Sequence, residues 1–181
     1  LMFFTRVLVS LFEFTLAVVM AGVVIALTYR VFIKANPDFN MEAEIKKGNA
    51  AVGALVAAIL FAASTILQRG LSSVVSMFRL HMTAPGQTPF SAVELCFIAL
   101  AHLVIAMVLA LLTVSITLRL FGRSTRRTLQ AGKELEKGNL AVGLVLSSVV
   151  IVAALYVGEG VSALSKALVP QPSIGRVQIL K

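Results

Sequence analysis

The sequence predicts an all-α membrane protein with four transmembrane helices, made from a two-helix unit that occurs twice in tandem and faces the same way both times. Three observations carry this expectation. Hydrophobic residues make up 59% of the 181 residues and charged residues 13%, with a mean hydropathy of +0.96, which is too apolar for an ordinary soluble domain. Four apolar segments, about 3–33, 49–77, 90–121 and 139–168, each exceed the roughly 20 residues that a spanning helix needs. Finally, Lys47-Gly48-Asn49-Ala50-Ala51-Val52-Gly53 returns ninety residues later as Lys137-Gly138-Asn139-Leu140-Ala141-Val142-Gly143.

The first segment carries Glu13 and ends at Tyr29-Arg30, an aromatic and a cation of the kind that anchor helices at a membrane interface. It is long, has Arg6 as the one charge ahead of Glu13 and lacks a small-x-small site before Tyr29, so it reads as a membrane helix and not as a cleaved leader. Asn36-Pro37-Asp38 then breaks the helix. Met41 to Lys47 reads as a short helical lead-in to segment two, which passes through Gln68-Arg69-Gly70 toward Met77.

Thr83 to Pro89 is a turn-forming linker, dividing the chain into a first unit at 1–82, the linker at 83–89, a second unit at 90–169 and a tail at 170–181. Segment three is interrupted by His102 and a few hydroxyls. A basic loop around Arg123, Arg126 and Arg127 leads into the second Gly-Asn pair, and segment four closes near Gly158-Glu159-Gly160 or a little beyond. The tail after Pro170 has no clear pattern and is expected to be exposed or loosely docked.

A formal charge of +8 raises the question of nucleic acid, but the cations flank apolar segments and form no basic stripe with interleaved aromatics. Anionic lipid head groups are the expected counter-charge. Ten of the 16 basic residues lie on the side of the two Gly-Asn loops, which places those loops in the cytoplasm and both termini outside. Two spans per unit make the repeat parallel, about an axis along the membrane normal. The lone Cys96 can form no intramolecular disulfide.

These features resemble the YjfL-like inner-membrane proteins, a bacterial family grouped as domain of unknown function 350. The resemblance covers about 30–168 and rests on Lys47-Gly48-Asn49-x-Ala51-Val52-Gly53 and its second copy. It implies a two-helix unit whose second helix opens at the motif, present here as two tandem copies, and a location in the bacterial inner membrane. It implies no settled activity.

Asn49 and Asn139 suit helix N-caps, with Gly48 and Gly138 freeing the turn; the alternative is an anion or lipid-phosphate site at the two helix N-termini. Small residues recur at helical spacing as Gly53, Ala57, Ser64 and Gln68, matched by Gly143, Ser147, Ala154 and Gly158. Such stripes let membrane helices pack closely, so segments two and four are expected to meet, within a chain or between chains. Arg69 and Glu159 each follow their Gly-Asn asparagine by twenty residues, about 30 Å of helix, and Glu13 and His102 precede Arg30 and Arg119 by seventeen, about 25 Å. All four are therefore expected in one polar layer of the outer leaflet, with Arg69 paired to Glu159 or Glu13 and His102 nearby.

The sequence offers no metal-ligand cluster, no nucleophile beside a base and no phosphate-binding glycine loop, so neither catalysis nor a cofactor is expected. The leading expectation is a structural or accessory membrane subunit that self-associates or supports a partner complex. Two alternatives stay open: an oligomer conducting ions or protons past Glu13, Arg69, His102 and Glu159, and a quinone- or haem-associated redox subunit.

Overall fold

The structure, a computed structural model, describes residues 2–34, 40–83, 91–125 and 129–168. Its helices are α1 (Met2–Thr28), continued by a π-helical turn at Tyr29–Lys34, then α2 (Met41–Lys46), α3 (Ala50–Thr83), α4 (Ala92–Thr125), α5 (Ala131–Glu136) and α6 (Leu140–Leu168). In a hydrocarbon core every backbone polar group must be satisfied within the segment, and a helix does this. Four helices, over Arg6–Ile33, Ala50–Met82, Val93–Thr125 and Leu140–Leu164, are long and apolar enough to cross a membrane.

α3 runs past the expected end at Met77 to Thr83, and α4 past 121 to Thr125. No proline interrupts either extension, and Gly70 is tolerated where α3 touches α4: a Cβ added there would stand 2.7 Å from the Cβ of Ala106. At 34 residues, or about 51 Å, α3 and α4 exceed the hydrocarbon thickness of roughly 30 Å. The start of α4 is closed by a capping box, with Ser91 N–H donating to Glu94 at 2.8 Å and Glu94 N–H to the Ser91 hydroxyl at 3.3 Å. The expected break at Asn36-Pro37-Asp38, residues 84–89 of the linker, residue 90 after it, Arg126, Arg127 and the tail after Pro170 lie outside the described residues.

α3 is the centre of the molecule, packed against α1, α4 and α6. Ile59, Ala62, Ala63 and Ile66 of α3 are fully buried, closed over by Ala106 and Ala110 of α4 and Val150 and Ala154 of α6. A second cluster, Val74, Met77, Leu95, Ala99 and Leu103, joins the far half of α3 to the first half of α4. Beside it Phe12 of α1 meets Phe78 of α3 with ring centroids 4.9 Å apart.

Candidate functional site

Each Gly-Asn pair joins a short helix to a long one, and the two joints share one bonding pattern. Gly48 and Gly138 have φ of +81° and +80°, where a side chain is strained and glycine is not. Their N–H groups donate to the carbonyls of Ile45 and Leu135, while Asn49 and Asn139 N–H donate to Glu44 and Glu134, ending α2 and α5 as paired Schellman turns. The same asparagines then open the membrane helices: Asn49 Oδ1 accepts from Ala51 N–H at 3.1 Å and Val52 N–H at 3.2 Å, and Asn139 Oδ1 from Val142 N–H at 3.4 Å.

Glu44 and Glu134 complete the joints. Asn49 Nδ2 donates to Glu44 at 3.1 Å and Asn139 Nδ2 to Glu134 at 3.0 Å, while Lys47 and Lys137 reach the same carboxylates at 2.6 and 2.9 Å. Neither glutamate stood among the sequence candidates. The signal was present, since each lies five residues before its asparagine in the shared pattern Glu-x-x-Lys-Gly-Asn. The Asn49 amide ties the joints together: its Nδ2 also donates to the Leu135 carbonyl at 2.8 Å and, at 3.4 Å, to that of Glu136. Among the described residues Asn139 makes no counterpart to it.

The joints carry a pH dependence. The Lys47 ammonium, then the Asn49 amide, hold the Glu44 carboxyl below its ordinary 4.5; Asn139, then Lys137, do the same for Glu134. A folded value below the unfolded one means stability that is complete above 4.5 and lost as pH falls through the lowered folded values. The melting temperature in detergent is therefore expected to hold from neutral pH to about 4.5 and fall below it. Replacing both residues (Glu44→Gln with Glu134→Gln) should flatten that acid limb; an unchanged limb would remove the joints as its source.

At the other end of α3, Arg69 Nη2 stands 2.8 Å from Glu159 Oε1, with Gly158 against the Arg69 side chain. His102 is close by, its ring edge 4.0 Å from where a Cβ would sit on Gly70. Glu13 does not join this layer, because its carboxylate meets Arg79 Nη2 at 3.1 Å. Counting depth from Arg30 and from Asn49 assumes the two start at one level; α1 instead sits farther along α3, ten residues beyond Arg69.

The small-residue stripes are not arranged as a facing pair. Gly143, Ser147, Ala154 and Gly158 of α6 are buried, but Ala57, Ser64 and Gln68 of α3 are exposed and Gly53 is half-buried. α6 is seated on a different line of α3: a Cβ on Gly143 would lie 2.6 Å from the Ala51 carbonyl oxygen and 2.8 Å from its Cα. Since Ala51 and Arg69 are eighteen residues, or five whole turns, apart, the α6-facing line of α3 runs from Ala51 through Ala58 and Ala62 to Arg69. The helices are parallel, with both asparagine joints at one end and the Arg69–Glu159 pair toward the other.

At the joint end, Arg119 and Arg123 of α4 and Lys133 of α5 line a cleft of about 1010 Å³ that also includes Gln130 and Glu136. Among the described residues no group of three or more His, Cys, Asp or Glu is placed to hold a metal ion.

Four long apolar helices, three of them packed about the fourth, define a multi-pass helical membrane protein. Within that class, the sequence model of one family, Domain of Unknown Function (DUF350), matches residues 5–161. The chain belongs to that family. Comparison with curated proteins and with solved structures gives no match.

Proposed function

We propose that this protein is a structural or accessory membrane subunit, made of two tandem copies of a two-helix module, that self-associates or supports a membrane complex. In this reading it lies in a bacterial inner membrane, joints toward the cytoplasm and both termini outside, and performs no catalysis of its own. The observation that carries it is the bond from Asn49 to Leu135, which locks two like-built joints into one unit. Between that lock and the Arg69–Glu159 pair the space is filled by buried Leu55, Ile59, Ala62, Leu146, Val150 and Ala154. An apolar, closely filled interior supports holding helices together over conducting ions through one chain.

The cleft bearing Arg119, Arg123 and Lys133 suits anionic lipid head groups, which attract clustered cations at the cytoplasmic surface. Native mass spectrometry of full-length protein, extracted gently from its own membrane, tests the reading. A homo-oligomer carrying anionic lipid, or a stoichiometric complex with a second protein, is expected. A bare monomer from native membrane would overturn it.

A further inference from the structure

The contact between α3 and α6 is one-sided. α6 contributes the stripe Gly143, Ser147, Ala154 and Gly158, and α3 contributes the line Ala51, Ala58, Ala62 and Arg69. Shifted by ninety residues, each face has a counterpart on the other helix. The counterpart of the α6 stripe is Gly53, Ala57, Ser64 and Gln68, with nothing within 4 Å of an added Gly53 Cβ and the other three exposed. The counterpart of the α3 line is Ala141, Ser148, Val152 and Glu159, all exposed, with Glu159 already engaged within the chain by Arg69. Each helix thus carries both halves of one joint and uses a single half within the chain.

The outer helices follow suit. Arg30-Val31-Phe32 and Arg119-Leu120-Phe121 set α1 and α4 in register. Leu103, Ala106 and Val114 of α4 are 7%, 1% and 0% exposed, whereas their counterparts Phe14 and Ile25 on α1 are 67% and 57% exposed and Ala17 is exposed as well.

We infer that a second copy of this chain fills the unused halves: the Gly53–Gln68 stripe of one copy seats on the Ala141–Glu159 line of the next, repeating the joint already present inside each chain. This rests on the self-association reading above and adds its geometry. Three features fit the occupant. Asn139 Nδ2 meets the Ile45 carbonyl of the neighbour as Asn49 meets Leu135 within the chain. Arg69 and Glu159 hold equivalent places, so they alternate from module to module and every joint brings opposite charges together. Ser64, Gln68 and Ser148, otherwise exposed at membrane depth, leave the lipid. A head-to-tail joint about an axis along the membrane normal closes into a ring, here of alternating first and second modules.

Cross-linking the full-length protein in native membranes tests this. In a Cys96→Ser background, Ala57→Cys and Val145→Cys are made singly, tagged differently and co-expressed; both positions are exposed, and each variant is first shown to melt like its parent. A short bismaleimide is expected to give covalent dimer from the mixture and none from either variant alone, and a ladder up to the ring size from the double variant. Dimer from either single variant alone, or no cross-link in a sample that native mass spectrometry shows to be oligomeric, would overturn the head-to-tail joint and leave self-association standing. A monomer in both experiments would overturn both.

Discussion

Replacing Gly143 by alanine is expected to destabilise the protein by about 1–3 kcal/mol, the usual cost of forcing extra volume into a packed contact. The added Cβ would lie 2.6 Å from the Ala51 carbonyl oxygen and 3.0 Å from its carbon. These are backbone atoms, so no side chain can swing aside and α6 as a whole must move off α3. Gly53→Ala is the control, because its Cβ meets open space within the chain. There alanine gains up to about 1 kcal/mol of helix propensity, leaving the monomer as stable as before or more so. In the proposed ring the same substitution would clash with Ala141 of the next copy, so Gly53→Ala should shift native-mass spectra toward monomer while its melting in a dissociating detergent is unchanged or raised. Equal effects of the two substitutions on the monomer would contradict the one-sided contact.

Asn49→Ala is expected to cost about 2–4 kcal/mol and Asn139→Ala about 1–2 kcal/mol, by summing roughly 1 kcal/mol for a lost cap and about 1 kcal/mol for each further hydrogen bond. The difference comes from the Leu135 and Glu136 carbonyls, which accept from Asn49. Asn49→Asp separates the roles. It keeps the cap oxygen but loses the donor and sets a second carboxylate against Glu44, whose oxygen lies 3.1 Å from the present amide. Denaturation followed by circular dichroism should find Asn49→Asp about as damaging as Asn49→Ala. A neutral Asn49→Asp would reduce the residue to a cap.

The helices were legible because bilayer length and hydropathy leave a chain this apolar few alternatives. The joints were legible in part: Gly-Asn announces a turn followed by a cap, but Glu44 and Glu134 read as ordinary lead-in charges until the turn brings them back over the asparagine. Packing was harder. A periodic stripe identifies a face fit for close contact and says nothing of its partner, so Gly53 and Gly143 look identical in sequence and differ in surroundings. The Glu13–Arg79 pair was missed because counting along a helix fixes depth relative to its own end, and neighbouring helices are free to slide.

The bond from Asn49 to Leu135 spans 86 residues. A ribosome adds about 5–20 residues per second, so roughly 4–17 s separate the two ends of that bond during synthesis. From the completion of α3 at Thr83 until α6 begins at Leu140, the first two long helices stand in the membrane with the line from Ala51 to Arg69 uncovered, and Arg69 lacks its carboxylate until Glu159 is made. Biogenesis therefore contains an obligatory half-made state, and whatever shelters that groove from premature contact with another nascent chain, insertion machinery or lipid alone, decides whether the fourth long helix finds its own chain or a neighbour's.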